Sequence, residues 1–307
     1  MKLSVITTTF NSSKHIKEFI RRISNTLGVN DHDYELIIVD DGSTDETIKI
    51  IRDCMKSQGS ITLVELSRNF GHHQAIKCGF EYAKGKLIFL IDSDLEEAPE
   101  LYHHFMDELK KNKLDIVYGV QKSRRGDLFE KLTGNIYYSI CKFCVDVQMP
   151  RNISTIRLMK REFLDAFLTF NENQFILNGT TFLAGFKRKG IFIEKKRLRK
   201  STYTIFNKFS LIVRSVTNYS SKPLYLLFCI GLLISTVSFG TAIYFLLIGL
   251  IKGISVPGWL SLICLSWLGV GITILSNGII AIYLRTIFSE VKNRPNFLIR
   301  NIYKNKS

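Results

Sequence analysis

The sequence predicts a doubly wound α/β domain built on a mainly parallel sheet flanked by helices, followed by a two-helix transmembrane hairpin. Three observations lead there. Strand-like and helix-like stretches alternate through the first 120 residues, the order expected when helices cross over between parallel strands. Three of the strand-like stretches end in polar, loop-forming clusters, at residues 8–12, 40–43 and 92–97. Residues 224–251 and 254–284 are apolar stretches without a charged residue, and a membrane span needs about 20 apolar residues.

Residues 3–8 form a β-rich run that ends at Thr9-Phe10-Asn11, and Ser12 or Ser13 is placed to cap a helix carrying Ile16, Phe19, Ile20 and Ile23 at helical spacing. A second strand over 35–39 runs into Asp40-Asp41-Gly42-Ser43-Thr44-Asp45 and a helix over 44–57. A third strand, 61–66, leads through Arg68-Asn69-Phe70-Gly71 to a helix over 73–83. The fourth strand, 87–91, is uninterrupted apolar sequence of the length expected for a fully buried strand, and it ends in Asp92, Asp94, Glu96 and Glu97. A helix over 99–111, with Pro99 in its first turn, and a fifth strand over 115–120 complete the alternation. From 122 to 222 the alternation fades into basic and aromatic sequence. There Ile205, Phe206, Phe209, Ile212 and Val213 fit either an interfacial amphipathic helix or an ordinary core-facing one. The expected division is a catalytic domain over 1–203, a juxtamembrane segment over 204–222, spans over 223–251 and 254–285, and a basic cytoplasmic tail over 286–307.

Lys and Arg outnumber Asp and Glu by 42 to 27, a formal charge of +15. Such an excess fits nucleic acid or an anionic membrane. Basic residues here crowd both outer flanks of the apolar stretches, while Lys252 alone lies between them. That favours a membrane over nucleic acid and places both flanks in the cytoplasm. The first residues read as a strand rather than a signal peptide. The six cysteines lack framework spacing, so a reduced state is expected, and Cys141 and Cys144 read as small residues on one helix face. The pairs His72-His73 and His103-His104 lack ligand spacing.

Ligands of open α/β sheets sit beyond the carboxyl ends of the strands, so Asp92 and Asp94 should face a bound molecule. Asp-Ser-Asp alone is also a common turn and helix-start pattern. At the mouth of a buried strand, hard oxygens two residues apart suit Mg²⁺ or Mn²⁺, which completes its shell with water and substrate phosphate. Neither GxGxxG nor a Walker A motif is present, which disfavours dinucleotide and P-loop readings.

In this order the motifs VITTTFN, IIVDDGSTDET, LSRNFGHHQAIKCGFEYAKG, FLIDSDLEEAPE, VYGV and EVKNRPNF resemble the membrane-anchored, GT-A-fold family 2 glycosyltransferases acting on polyprenyl phosphates. These include bacterial undecaprenyl-phosphate glucosyltransferases and dolichyl-phosphate mannose synthases. The resemblance implies a hexose moved with inversion from a nucleotide sugar, a UDP-sugar by expectation, to undecaprenyl phosphate. The site would lie at the cytoplasmic face of the bacterial inner membrane, on a multi-pass chain that assembles as a homo-oligomer, tetrameric by resemblance. It implies that Thr8, Phe10, Ser12, Asp41, Asp92 and Arg199 bind the donor, that Asp92, Asp94 and Glu96 hold Mg²⁺ or Mn²⁺, and that Asp94, Glu97 and Arg157 are catalytic. Arg124, Arg125, Arg157, Arg197 and Arg199 are candidates for the acceptor phosphate. The family usually has Gln at the position of Glu96, Pro at that of Thr7 or Thr8, and an acidic residue at that of Thr155. A phosphate monoester with its second pKa near 6 is already an ionised nucleophile, whereas a hydroxyl needs a base, so the loss at Thr155 favours a phosphate acceptor. A different lipid or hydroxyl acceptor, or a nucleotide-sugar-binding scaffold with impaired catalysis, are the alternatives.

Overall fold

The computed structural model describes residues 2–28, 34–57, 61–121, 150, 152–170, 177–195, 222–252, 259–292 and 294–304. Among these residues eight strands form one sheet in the order β7-β5-β6-β4-β1-β2-β3-β8. The first four strands are β1 (Leu3–Thr9), β2 (Tyr34–Asp40), β3 (Ile61–Leu66) and β4 (Leu87–Leu90). Pairing of β1 with β2 and β4, and of β2 with β3, is parallel. Helices α1 (Ile16–Leu27), α2 (Thr47–Ser57), α3 (His72–Tyr82) and α4 (Leu101–Lys111) alternate with the strands, so the expected fold class is present, with boundaries shifted by a few residues.

Every residue of β1 and β2 is buried, because both faces of the sheet are covered. On one face Val5, Leu36, Ile38, Leu63 and Phe89 pack with Ile16, Phe19, Ile20 and Ile23 of α1, and with Ile51 and Phe105 from α2 and α4. On the other, Ile6, Ile37, Val39, Val64 and Ile88 pack with Ala75, Ile76 and Phe80 of α3. Neither Ser12 nor Ser13 caps α1 through its side chain; the Ser12 carbonyl accepts the His15 and Ile16 amides at 3.0 Å.

Beyond residue 121 the structure departs from the expected fading of order. Strand β5 (Ile116–Gln121) pairs antiparallel with β6 (Ile153–Lys160), which inserts between β5 and β4, and β7 (Arg188–Ile193) runs parallel to β5. Helices α5 (Arg161–Leu168) and α6 (Leu177–Leu183) lie between β6 and β7, with Phe163, Leu164 and Leu177 in the second core cluster. Within the segment expected as a basic tail over 286–307, β8 (Ile299–Lys304) pairs antiparallel with β3, from Thr62↔Lys304 to Leu66↔Ile299. Glu65, 7% exposed, accepts from Asn301 Nδ2 at 2.9 Å and Tyr303 Oη at 3.3 Å, with Arg300 at 3.6 Å. A charged strand paired at a sheet edge blunts that edge against other chains.

The chain divides into two compact units. Elements β1 to β8 with α1 to α6 form one; α7 (Lys222–Lys252) and α8 (Trp259–Val291) belong to the other. At 31 and 33 residues each helix is roughly 45–50 Å long, more than the ~30 Å hydrocarbon core of a bilayer. Helix α8 runs six residues beyond the span expected to end at 285. Both helices leave apolar side chains open, among them Phe228, Leu233, Leu262 and Ile274. Among the described residues, Gly269–Val291 is long and apolar enough to cross a membrane, with mean hydropathy 1.6. Residues 204–221 of the expected juxtamembrane segment over 204–222, residues 253–258 and the pair Cys141 and Cys144 lie outside the described residues.

Candidate active site

Strands β1, β2 and β4 point their carboxyl ends to one edge, in register at Thr9↔Asp40 and Ile6↔Leu90. The loops leaving that edge are sharply turned: Asn11 and Leu95 have φ of 49° and 61°, and Gly42 has φ of 75°. A Cβ on Gly42 would lie 2.6 Å from the Arg68 carbonyl carbon, so only glycine lets the loop after β2 press against the loop after β3. A cavity of about 370 Å³ opens between these loops, lined by Thr8, Thr9, Phe10, Asp41, Asn69, Gly71, His72, Asp92, Ser93 and Asp94.

The walls are tied together by hydrogen bonds across the strand ends. Asp41 accepts from the Phe70 and Gly71 amides at 2.7 and 3.0 Å. Burial nevertheless raises its pKa, because it outweighs those two bonds. Below it, the fully buried Asp40 accepts from the Ser43 amide and from the Thr9 and Ser43 hydroxyls. Ser93 donates to the Thr8 carbonyl at 2.8 Å. His72 stands 3.0 Å from Thr8 Oγ1 through Nδ1 and 3.5 Å from Asp92 Oδ1 through Nε2, so it bridges the β1 and β4 rims.

Of the residues singled out in the sequence, Thr8, Phe10, Asp41, Asp92 and Asp94 meet at this cavity. Phe10, a lining residue, is 46% exposed. Ser12 does not line the cavity; its amide donates to Thr47 Oγ1 and its hydroxyl to the Phe10 carbonyl. Glu96 turns to Lys195, whose Nζ lies 3.2 Å away and 3.8 Å from Glu97. Arg157, expected at the acceptor phosphate, is instead 1% exposed and donates to Thr155 O, Ser154 O, Thr181 Oγ1 and Asn178 Oδ1. It is a buried strut between β6 and α6, and burial pushes its pKa down to about 10 against the pull of Glu97 and Asp92. Arg199, Arg124, Arg125 and Arg197 lie outside the described residues. His72, Asn69, Ser93 and Lys195 are cavity or rim residues that sequence reasoning did not assign. Lys195 was hidden in a basic run read as membrane-flanking, and only the fold brings it to Glu96.

Among the described residues no three His, Cys, Asp or Glu side chains are grouped to cage a metal. What the cavity presents is a pair, Asp92 and Asp94. Burial, and then the neighbouring Asp92, raise the pKa of Asp94 despite a bond from the Glu96 amide at 3.0 Å. Two carboxylates crowded without full compensation fit a hard divalent cation that takes its other ligands from water and phosphate.

Glu97 is 0% exposed, accepts from Ser154 Oγ, and its Oε2 has no hydrogen-bond partner among the described residues. Burial, then the Asp92 charge, push its pKa from 4.5 up to about 7. Because the folded value is raised, the contribution to stability is complete below pH 4.5 and is lost as pH rises through 7. Glu97→Gln should therefore flatten the fall in unfolding free energy between pH 5 and 8 by up to roughly 3 kcal/mol, measured by thermal unfolding across that range. An unchanged slope would show that Glu97 ionises normally.

Residues 4–168 match the model of the family described as Glycosyl transferase family 2. The chain belongs to glycosyl transferase family 2. Across 99% of its length it is 33% identical to a Mycobacterium tuberculosis protein provisionally named a glycosyltransferase, covering 89% of that protein. It is 27% identical over 98% of its length to the undecaprenyl-phosphate 4-deoxy-4-formamido-L-arabinose transferase of Aeromonas hydrophila subsp. hydrophila, covering 94% of it. Glucosyl-3-phosphoglycerate synthase from M. tuberculosis, solved with Mn²⁺ and UDP-glucose, is similar over 69% of this chain and 77% of its own, at 19% identity and a TM-score of 0.47. The family expected from the motifs is thus the family found, and the family-2 match spans β1 through α5.

Proposed function

We propose that this family-2 transferase moves one hexose, with inversion, from a nucleotide sugar to polyprenyl phosphate at a membrane surface, the donor being a UDP-sugar. The observation that carries the reading is the placement of Asp92 and Asp94 in the same cavity as Thr8, Phe10 and Asp41. Phe10 and Asp41 are assigned to the base and ribose of the donor, and the two aspartates to the end that carries the diphosphate. A divalent cation, Mg²⁺ or Mn²⁺, bound there would neutralise the charge that develops on the leaving diphosphate.

The chain's own residues do the rest. Asp92 and Asp94 fix the donor's orientation, while His72 ties the Thr8 rim to Asp92. Glu97 lies close enough to Asp92 and Asp94 to feel their charge and tunes the negative field of the rim. Arg157 holds β6 against α6 behind the site. The acceptor phosphate, ionised by its own second pKa near 6, attacks the anomeric carbon as the bond to the diphosphate breaks on the opposite side. No base is required, consistent with Thr155 at a position where the family carries an acid.

Connectivity supports an anchor of two crossings. The chain leaves the sheet-bearing unit before α7 and returns to it for β8, which pairs with β3. A single crossing by α8 would put β8 and β3 on opposite sides of a bilayer; crossing by both α7 and α8 keeps them together. We assign that shared side to the cytoplasm, where the basic flanks meet anionic lipid.

The test is mass spectrometry of lipid extracted after the full chain, in membranes, is incubated with undecaprenyl phosphate and a panel of nucleotide sugars. The expected product is the lipid phosphate carrying one hexose, cleaved by mild acid. A product stable to mild acid, or nucleotide-sugar binding without turnover on any acceptor, overturns the reading.

A further inference from the structure

We propose that Lys195 is a positioning residue that holds Glu96 out of the cation site, so that Asp92 and Asp94 face the donor as a pair. This rests on the donor-site reading above and deepens it. The loop after β4 carries four carboxylates within six residues, Asp92 to Glu97; Leu95 turns it with a left-handed backbone, and Glu96, the residue after that turn, is not among those lining the cavity. There Lys195, two residues past the end of β7, closes an ion pair of 3.2 Å with Glu96, and the two side chains are 21% and 14% exposed. The pair lies between loops from strands that are three places apart in the sheet, so it pins the acidic loop from outside.

Charge arithmetic explains the arrangement. Glu96 and Lys195 together make a pair of zero net charge beside the cavity. Freed from Lys195, Glu96 would add a third carboxylate to the rim. A cation would then bind more tightly, and the donor diphosphate would meet an extra negative charge. Lys195 is embedded in that field. Burial lowers its pKa, but Glu97, Asp92, Asp94 and Glu96 together outweigh burial and raise it.

The experiment uses the full chain in detergent and reads Mn²⁺ affinity by electron paramagnetic resonance without donor, alongside donor KM and kcat. Loss of one partly buried counter-charge should tighten Mn²⁺ binding about fivefold in Lys195→Met and raise donor KM by a similar factor, with kcat within about twofold. The double variant E96Q/K195M should return both to within about twofold of the parent, and K195R should stay there throughout. Thermal unfolding in EDTA checks each fold. Should K195M not fold, the swapped pair E96K/K195E carries the same test, since it keeps Mn²⁺ affinity only if position 96 points away from the cation. Unchanged or weaker Mn²⁺ binding in K195M, failure of E96Q to reverse the shift, or loss of Mn²⁺ by the swapped pair overturns the proposal. A parent chain that transfers no sugar but shows these Mn²⁺ shifts would instead sink the functional reading and leave the latch standing.

Discussion

Asp94→Ala abolishes transfer, lowering kcat/KM by at least about 10³-fold, while the protein stays folded. The size follows from removing half of the carboxylate pair proposed to face the leaving diphosphate, since groups that meet developing charge in a water-poor site contribute several kcal/mol each. The retained fold follows from how little the side chain does for the structure: among the described residues it accepts a hydrogen bond from the Glu96 amide. Burial opposes its ionisation, so losing the carboxylate costs under about 1 kcal/mol of stability. Asp40 provides the contrast, because its carboxylate holds Thr9 and Ser43 inside the sheet and its loss is a folding defect. Radiolabel transfer in purified membranes and an unfolding midpoint separate the two cases. Asp94→Ala with activity within tenfold of the parent at saturating donor would remove the basis for the donor site.

Deleting residues 299–304 destabilises the sheet-bearing unit by about 3–5 kcal/mol, given roughly 1 kcal/mol for each lost ladder contact along β3. The same deletion strips Glu65 of Asn301, Tyr303 and Arg300 and leaves a buried carboxylate beside an open strand edge. Aggregation should accompany the loss, because an unpaired edge is a template for other chains. Urea denaturation followed by tryptophan-independent circular dichroism, with the soluble fraction recorded in parallel, measures both effects. An unchanged midpoint would mean that β8 pairs without contributing.

The two halves of the catalytic sheet were unequally legible in sequence. Strand β4 is a continuous apolar run, β1 to β3 are rich in β-branched and other apolar residues, and the helices between them carry apolar residues at helical spacing, so local pattern and fold agree. The acids at 40–41 and 92–97 mark strand ends that the parallel topology then brings to one rim. Strand β6 escaped because its sequence, Ile153–Lys160, buries Ser154 and Arg157; their partners Glu97, Asn178 and Thr181 are distant in sequence. Strand β8 escaped because it is charged and half-exposed, and only its pairing with β3 makes it a strand. Lys195 illustrates the same limit at the site. A lysine in a basic run acquires a particular role only when folding sets it beside one carboxylate rather than another.

The placement of β8 also imposes a schedule on biosynthesis. The ribosome must make the apolar stretch 222–291 before the residues that close the β3 edge exist. Until then the nascent sheet carries an unsealed margin, so synthesis of the long apolar helices and completion of the sheet are linked in time. A chain that stalls within this stretch is left with an incomplete sheet, which gives quality control a handle on unfinished molecules.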